Sequence, residues 1–103
     1  MIYGNTNQIK TPAIAVTYDA TISGSTELTL NAKTSIIEVT AIDKAICVRW
    51  GTSDASTTAW DHVVPLNSTA MFWVPIEPST GVLYTAVNFI EQAATAILTV
   101  AEF

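Results

Sequence analysis

The side chains of this sequence that could carry out chemistry are few and lie close together in the chain. Cys47 is the single cysteine and His62 the single histidine, and Ser53, Asp54 and Asp61 lie between them. A hydrolytic site needs a nucleophile, a base and a group that orients the base. Asp61 and His62 are adjacent in a predicted strand, so their side chains should point to opposite faces of a sheet. We therefore expect no catalytic residues, and a protein that is not an enzyme.

The same residues are too few for a metal or cofactor site. Cys47 lies in the apolar run 45–48, which is typical of a small buried side chain rather than a reactive thiol. Zinc usually takes several His or Cys ligands, and calcium takes a cluster of carboxylates, whereas Asp54 and Asp61 are isolated here. The four glycines are scattered and form no phosphate-binding loop. We expect no metal and no cofactor, and we interpret His62 as an exposed or loop-edge histidine.

The composition limits the class of partner. Of the 103 residues, 50% are hydrophobic and only 13% are charged, and the formal net charge is −5. The four basic residues do not cluster, which argues against nucleic acid and against a membrane surface as partner. A chain of this length forms one domain and cannot bury all of its apolar surface. The composition therefore indicates a protein that is not a free monomer.

The first residues predict neither a leader nor a core element. Residues 1–8 contain no basic segment followed by an apolar one, so we expect no signal peptide and synthesis in a cytoplasm. Residues 1–12 lack alternation and end at Pro12, which favours an extended N-terminal arm. The remaining residues, 13–103, should form the folded domain.

Alternating apolar residues and frequent turn signals predict an all-β fold. About eight strands can be placed, and no helix is easily accommodated. The predicted strands are 13–22, a short one around 28–32, one around 37–41, 45–51, 60–66, 69–74, 82–90 and 95–103. The turn at Asp43 and Lys44 predicts a hairpin between the third and fourth strands, with Ile46, Val48 and Trp50 facing inward. The expected architecture is a single antiparallel β-sandwich.

Three late strands, 69–74, 82–90 and 95–103, carry apolar residues on both faces. Such a strand is either covered on both sides within the monomer or covered on its outer side by another subunit. A two-layer sandwich has one core, so the second alternative is favoured. The residues predicted to form the contact between subunits are Met71, Trp73, Tyr84, Ile90, Ile97 and Phe103.

Several short motifs resemble small jelly-roll structural proteins of tailed bacteriophages. They are Ile-Glu-Val-Thr-Ala at 37–41, Cys-Val-Arg-Trp-Gly at 47–51, Val-Pro-Leu-Asn-Ser at 64–68, Phe-Trp-Val-Pro at 72–75, and two closing strands within 82–102. The best-known proteins of this type are capsid decoration, or cement, proteins, often trimers that bind the major capsid protein. The resemblance implies a jelly-roll-like sandwich located on the capsid surface of a virion.

Two alternatives remain open at this point. A carbohydrate- or receptor-binding module would use Trp60, Trp73 or Tyr84 as a stacking platform. A tail, neck or fibre accessory protein of the virion would have the same fold as a decoration protein, and the sequence does not separate the two.

Overall fold

The described part of the chain is built from strands alone. The computed structural model describes residues 15–93 and 95–103, and the predicted arm over residues 1–12 lies outside them. No helix occurs within these ranges. The eight strands are β1 (Ala15–Ile22), β2 (Thr26–Thr29), β3 (Ile36–Ile42), β4 (Ile46–Trp50), β5 (His62–Val64), β6 (Ser68–Trp73), β7 (Ala86–Glu91) and β8 (Ala96–Glu102). The predicted all-β fold of about eight strands is confirmed.

The strands form two four-stranded antiparallel sheets. Sheet I has the order β1-β8-β3-β6, and sheet II has the order β2-β7-β4-β5. The pairs β1/β8, β2/β7, β3/β6 and β4/β5 are nested, as in one long hairpin whose two halves run side by side. The additional pairs β3/β8 and β4/β7 complete each sheet. This wrapped arrangement of two four-stranded sheets is that of a jelly roll, the predicted architecture.

The predicted hairpin between the third and fourth strands is wrong. β3 belongs to sheet I and β4 to sheet II, so the turn at Asp43 carries the chain from one sheet to the other. Asp43 has a φ of 75°, a left-handed conformation that Asp adopts more readily than most residues. Both strands have one strongly apolar face. Packing the two faces against each other buries both, whereas side-by-side pairing would leave them on one common surface.

The core lies between the inner faces of the two sheets. The alternation predicted for Ile46, Val48 and Trp50 is confirmed, since all three are buried. In sheet I the inward positions of β3 and β8 alternate with outward ones along the whole strand. The largest fully buried apolar side chains are Phe89, Ile22, Ile37, Ile46 and Leu98.

The strand β5 covers only His62–Val64 of the predicted 60–66. The bounds of β2 and β7 also differ from the prediction, for identifiable local reasons. β2 ends at Thr29 because the following residues form a turn in which Thr34 donates its N–H to the carbonyl of Asn31. β7 begins at Ala86 rather than at residue 82. Residues 82–84 instead pair back onto residues 75–77 across a turn that ends at Gly81, whose φ is 73°. The segment 75–84 is therefore a small separate hairpin, called the 75–84 hairpin below.

Candidate functional site

The residues that could carry out chemistry are not brought together. Val48 is paired with His62 and Cys47 with Val63, so Cys47 and His62 extend from opposite faces of sheet II. Asp61 lies just before β5, and its carboxylate accepts a hydrogen bond from the backbone N–H of Trp50 at 2.8 Å. The Asp61 carboxylate therefore has a structural role, since it accepts a hydrogen bond from the backbone N–H at the end of β4.

His62 lies inside the sandwich, not at an exposed loop edge as the sequence suggested. Its ring is stacked on Phe72 with 4.5 Å between ring centroids and meets Trp50 edge-on at 6.3 Å. The cause is register: Val48 faces the core, and the paired residue of an antiparallel neighbour faces the same side. The half-buried imidazole closes the gap between the edge strands β5 and β6.

Cys47 is a buried free thiol, in line with its interpretation as a small packed side chain. Burial raises the pKa of the Cys47 thiol above its ordinary value, and a hydrogen bond with Gln92 partly offsets this rise. A thiol in this environment stays protonated and unreactive at neutral pH. Among residues 15–93 and 95–103, no group of three or more His, Cys, Asp or Glu side chains could hold a metal ion. The described part of the chain also contains no helix long and apolar enough to cross a membrane.

The feature that distinguishes this molecule is the outer face of sheet I, the face directed away from the core. The strand register aligns the residues of this face in rows that run across the strands. One row places Trp73 beside Ile36, and the next row places Met71 beside Glu38 and Ala101. Trp73 is 76% exposed and Met71 is 52% exposed. These are large apolar side chains on a surface where a two-layer sandwich normally carries polar residues.

Four of the six residues predicted to contact another subunit lie on this face. Met71 and Trp73 come from β6, Ile97 from β8, and Phe103 follows β8 and exchanges backbone hydrogen bonds with Ile36. The inner positions of β6, Ala70 and Phe72, pack against the core as the alternation predicts. Whether the outer four contact a second subunit stays a prediction.

The other two predicted residues lie elsewhere. Ile90 is paired with Cys47 and extends from the outer face of sheet II, where it is half-buried. Tyr84 is the last residue of the 75–84 hairpin, stacks on Trp50 with 6.2 Å between ring centroids and packs against the core. One face of the Tyr84 ring is therefore already occupied, which leaves less of it for a partner than the sequence suggested.

A small depression lies at the edge of sheet I. It has a volume of about 210 Å³ and is lined by Ile36, Met71, Phe72 and Trp73. Ile36 was not among the predicted contact residues, although its alternation with Ile37 already places it on the outer face. The lining contains no charged group, so the depression fits an apolar group rather than an ion.

A second apolar surface was missed from the sequence. In the 75–84 hairpin, Ile76, Val82 and Leu83 are exposed. The signal that could have identified this hairpin is the turn sequence 77–81, Glu-Pro-Ser-Thr-Gly, flanked by apolar residues on both sides. The hairpin follows β6 directly in the chain and presents its own exposed apolar residues.

Comparisons with protein-family models, with curated proteins and with solved structures gave no significant match to the chain.

Proposed function

We propose that this chain is a non-enzymatic structural protein of a bacteriophage virion, most simply a capsid decoration protein. It would bind copies of itself and the major capsid protein by burying apolar surface. The observation that carries the proposal is the outer face of sheet I. Trp73 and Met71 are exposed there, although the inner face of the same sheet already fills the core.

Energetics favour a partner that covers this face. Burying apolar surface contributes about 25 cal/mol per Å², and a stable interface usually covers about 800 Å² on each partner. Aromatic side chains and methionine are the residues most enriched at the centres of such interfaces. Trp73, Met71 and Ile36 supply this chemistry in adjacent positions.

The charge distribution supports a protein surface as partner rather than a polyanion. The chain carries nine acidic and four basic residues. No charged residue occurs in β6, the strand that presents Met71 and Trp73. A contact centred on β6 would therefore depend on apolar burial and shape. The expected location is the capsid surface, after synthesis in the host cytoplasm.

The experiment that tests the proposal starts with phage particles purified from the source of this sequence. Mass spectrometry should find the chain in particles separated by density, and electron microscopy should place it on the head. Finding it on the neck, tail or fibre would keep the structural role and replace the decoration role. Its absence from purified particles would contradict both.

A binding comparison tests the surface directly. Trp73→Ala should release the protein from capsids that bind the wild type, whereas Trp60→Ala should not. Trp60 is a matched control because it is also exposed, but it lies in the loop between β4 and β5 of sheet II. Equal loss of binding in both variants would contradict a contact through sheet I.

The exposure of Trp73 also favours a second candidate, a carbohydrate-binding module, since a free indole face can stack on a sugar ring. The same two variants separate the candidates in a glycan screen. Binding that is lost with Trp73→Ala would support the module, and no glycan binding by the wild type would remove it.

A further inference from the structure

The four sheet edges of this sandwich are protected unequally. Among the described strands the edges are β1 and β6 in sheet I and β2 and β5 in sheet II. β1 carries a register shift between Val16 and Tyr18, and β2 and β5 are only four and three residues long. Bulges and shortness are two ways in which proteins prevent unwanted strand pairing. β6 has six residues, no charged or proline residue, and a continuous register with β3.

The hydrogen-bonding side of each β6 residue follows from its neighbours. Ile36 and Phe103 exchange backbone hydrogen bonds of 2.8 and 3.1 Å. The backbone N–H and C=O groups of the even-numbered residues of β3 therefore point toward β8. The backbone groups of the odd-numbered residues of β3 then point toward β6 and form hydrogen bonds with its even-numbered residues. The backbone N–H of Val74 continues this series by donating to the carbonyl of Ser35. It follows that the backbone N–H and C=O groups of Thr69, Met71 and Trp73 point away from β3, outward from the edge of the sheet.

We infer that β6 pairs with β6 of a second copy of this chain, antiparallel, around a twofold axis at Met71. Residue 71 would face residue 71 of the second copy, and residue 69 would face residue 73. Each of these three positions presents an outward N–H and C=O, so the pairing forms about six hydrogen bonds. The result is one continuous eight-stranded sheet built from two copies of sheet I.

The strand itself favours a second copy as the occupant. A twofold contact brings the same surface of both chains together, so a net charge on that surface would face the same net charge on the second copy. β6 contains none, whereas the chain as a whole has a net charge of −5. The pairing also places Met71 of one copy beside Met71 of the other, next to the apolar depression of about 210 Å³. Thr69, Met71 and Trp73 of both copies would share one outer face.

This inference deepens the self-association in the proposed function and is separable from capsid binding. It gives two copies, where the phage resemblance implies three. The first measurement is therefore the mass of the purified protein in solution, across a dilution series. A dimer is expected. A trimer would overturn the twofold pairing and leave the proposed function standing, and a monomer at every concentration would also overturn the pairing.

Two matched lysine variants separate edge pairing from general stickiness of the outer face. Met71→Lys places an ammonium group beside its own copy and should weaken the dimer on the order of a hundredfold. Ile97→Lys adds the same charge on the same face, but on the central strand β8, and should leave the dimer intact. Circular dichroism should show that both variants remain folded. Dissociation by Ile97→Lys, with or without dissociation by Met71→Lys, would overturn the inference.

A disulfide test reads the register. Hydrogen-bonded residue pairs have Cα atoms about 5.5 Å apart, within the range that a disulfide spans. In a Cys47→Ser background, Met71→Cys should give a covalent dimer on mild oxidation. Thr69→Cys should not, because the two copies of residue 69 would lie roughly 13 Å apart along the strands. Efficient linkage through residue 69 and none through residue 71 would contradict the twofold axis at Met71.

Discussion

Trp50 lies in the core and contacts two other aromatic rings. Its ring stacks on Tyr84 and meets His62 edge-on, and only 8% of it is exposed. Its indole N–H is buried and has no hydrogen-bond partner within the described residues. Leaving a buried donor unpaired costs about 1–3 kcal/mol. The side chain therefore stabilises the fold through its apolar ring, and its polar atom subtracts from that gain.

This balance predicts that Trp50→Phe changes the free energy of unfolding by no more than about 1 kcal/mol. The smaller ring loses contact area, but the unpaired donor disappears. Trp50→Ala should cost about 3–5 kcal/mol, since it removes the ring and leaves a cavity. Urea unfolding of both variants measures the difference. A Trp50→Phe variant as unstable as Trp50→Ala would show that the indole N–H has a partner, such as a buried water.

Glu102 is a carboxylate with no exposed surface that holds the turn after β2 against the core. Its Oε1 accepts hydrogen bonds from the backbone N–H of Asn31 at 2.7 Å and from the hydroxyl of Thr34 at 2.5 Å. Thr34 is itself buried. The turn at residues 31–34 therefore depends on an acceptor supplied from the end of β8.

We expect Glu102→Ala to lower the free energy of unfolding by about 2–4 kcal/mol, because two donors lose their acceptor. Glu102→Gln keeps an oxygen in the same place and should cost about half as much. Asp54→Ala is the control: this exposed residue of the loop between β4 and β5 should change stability by less than about 0.5 kcal/mol. Equal losses for the Ala and Gln variants would contradict a role as acceptor. Thermal or urea unfolding provides the measurement.

At the scale of elements, two crossings between the sheets are tied together. Asp43 lies between β3 and β4, and Asn67 lies between β5 and β6; both have positive φ, 75° and 55°. The side-chain oxygen of Asn67 accepts a hydrogen bond from the backbone N–H of Asp43 at 3.1 Å. The two left-handed turns thus support each other at one end of the sandwich.

Asn67→Ala should cost about 1–2 kcal/mol, because alanine strains a left-handed turn and the hydrogen bond is lost. Asn67→Gly should cost less, since glycine relieves the strain and loses only the bond. Asn67→Asp keeps both properties and should be close to wild type. Melting temperatures in this order, with Ala lowest, are the expected result. A Gly variant below the Ala variant would contradict the conformational part of this account.

Local sequence patterns predicted which face of a sheet a side chain lies on better than they predicted which strands are paired. Alternation along residues 69–74 correctly separated Phe72, which faces the core, from Met71 and Trp73, which are exposed. The same reasoning failed at Asp43, because a short turn between two alternating strands is compatible with a hairpin and with a crossing between sheets. It failed at His62 as well, since the direction of that ring depends on which residue of β4 it is paired with. Strand pairing is a long-range property that the spacing of residues does not contain.

At the scale of the whole molecule, the large apolar residues that are exposed in the described part of the chain lie mainly on two surfaces. The outer face of sheet I and the 75–84 hairpin share the exposed large apolar residues with a few loop positions. The sequence predicted the outer face of sheet I from strands that carry apolar residues on both faces. It did not predict the second, because residues 82–84 were assigned to the long strand that the structure begins at Ala86. The edge position of β6 among the described strands is a property of sheet order, which no local pattern contains.

The net charge of the molecule predicts how its self-association responds to salt. Each chain carries a formal net charge of −5 and a pI near 4.4, so two copies repel each other at neutral pH. The proposed contact through β6 contains no charged pair that salt could weaken. Raising the salt concentration from about 10 mM to about 150 mM shortens the Debye length from about 30 Å to about 8 Å, which screens the repulsion.

Association should therefore tighten as salt increases, and tighten again as the pH falls toward the pI. Analytical ultracentrifugation at several ionic strengths provides the measurement, and Ile97→Lys is a useful second sample because it reduces the net charge without touching β6. That variant should associate more tightly than wild type at low salt and equally at high salt. A dimer that dissociates as salt is added would instead require complementary charges across the contact, and the β6 pairing has none to offer.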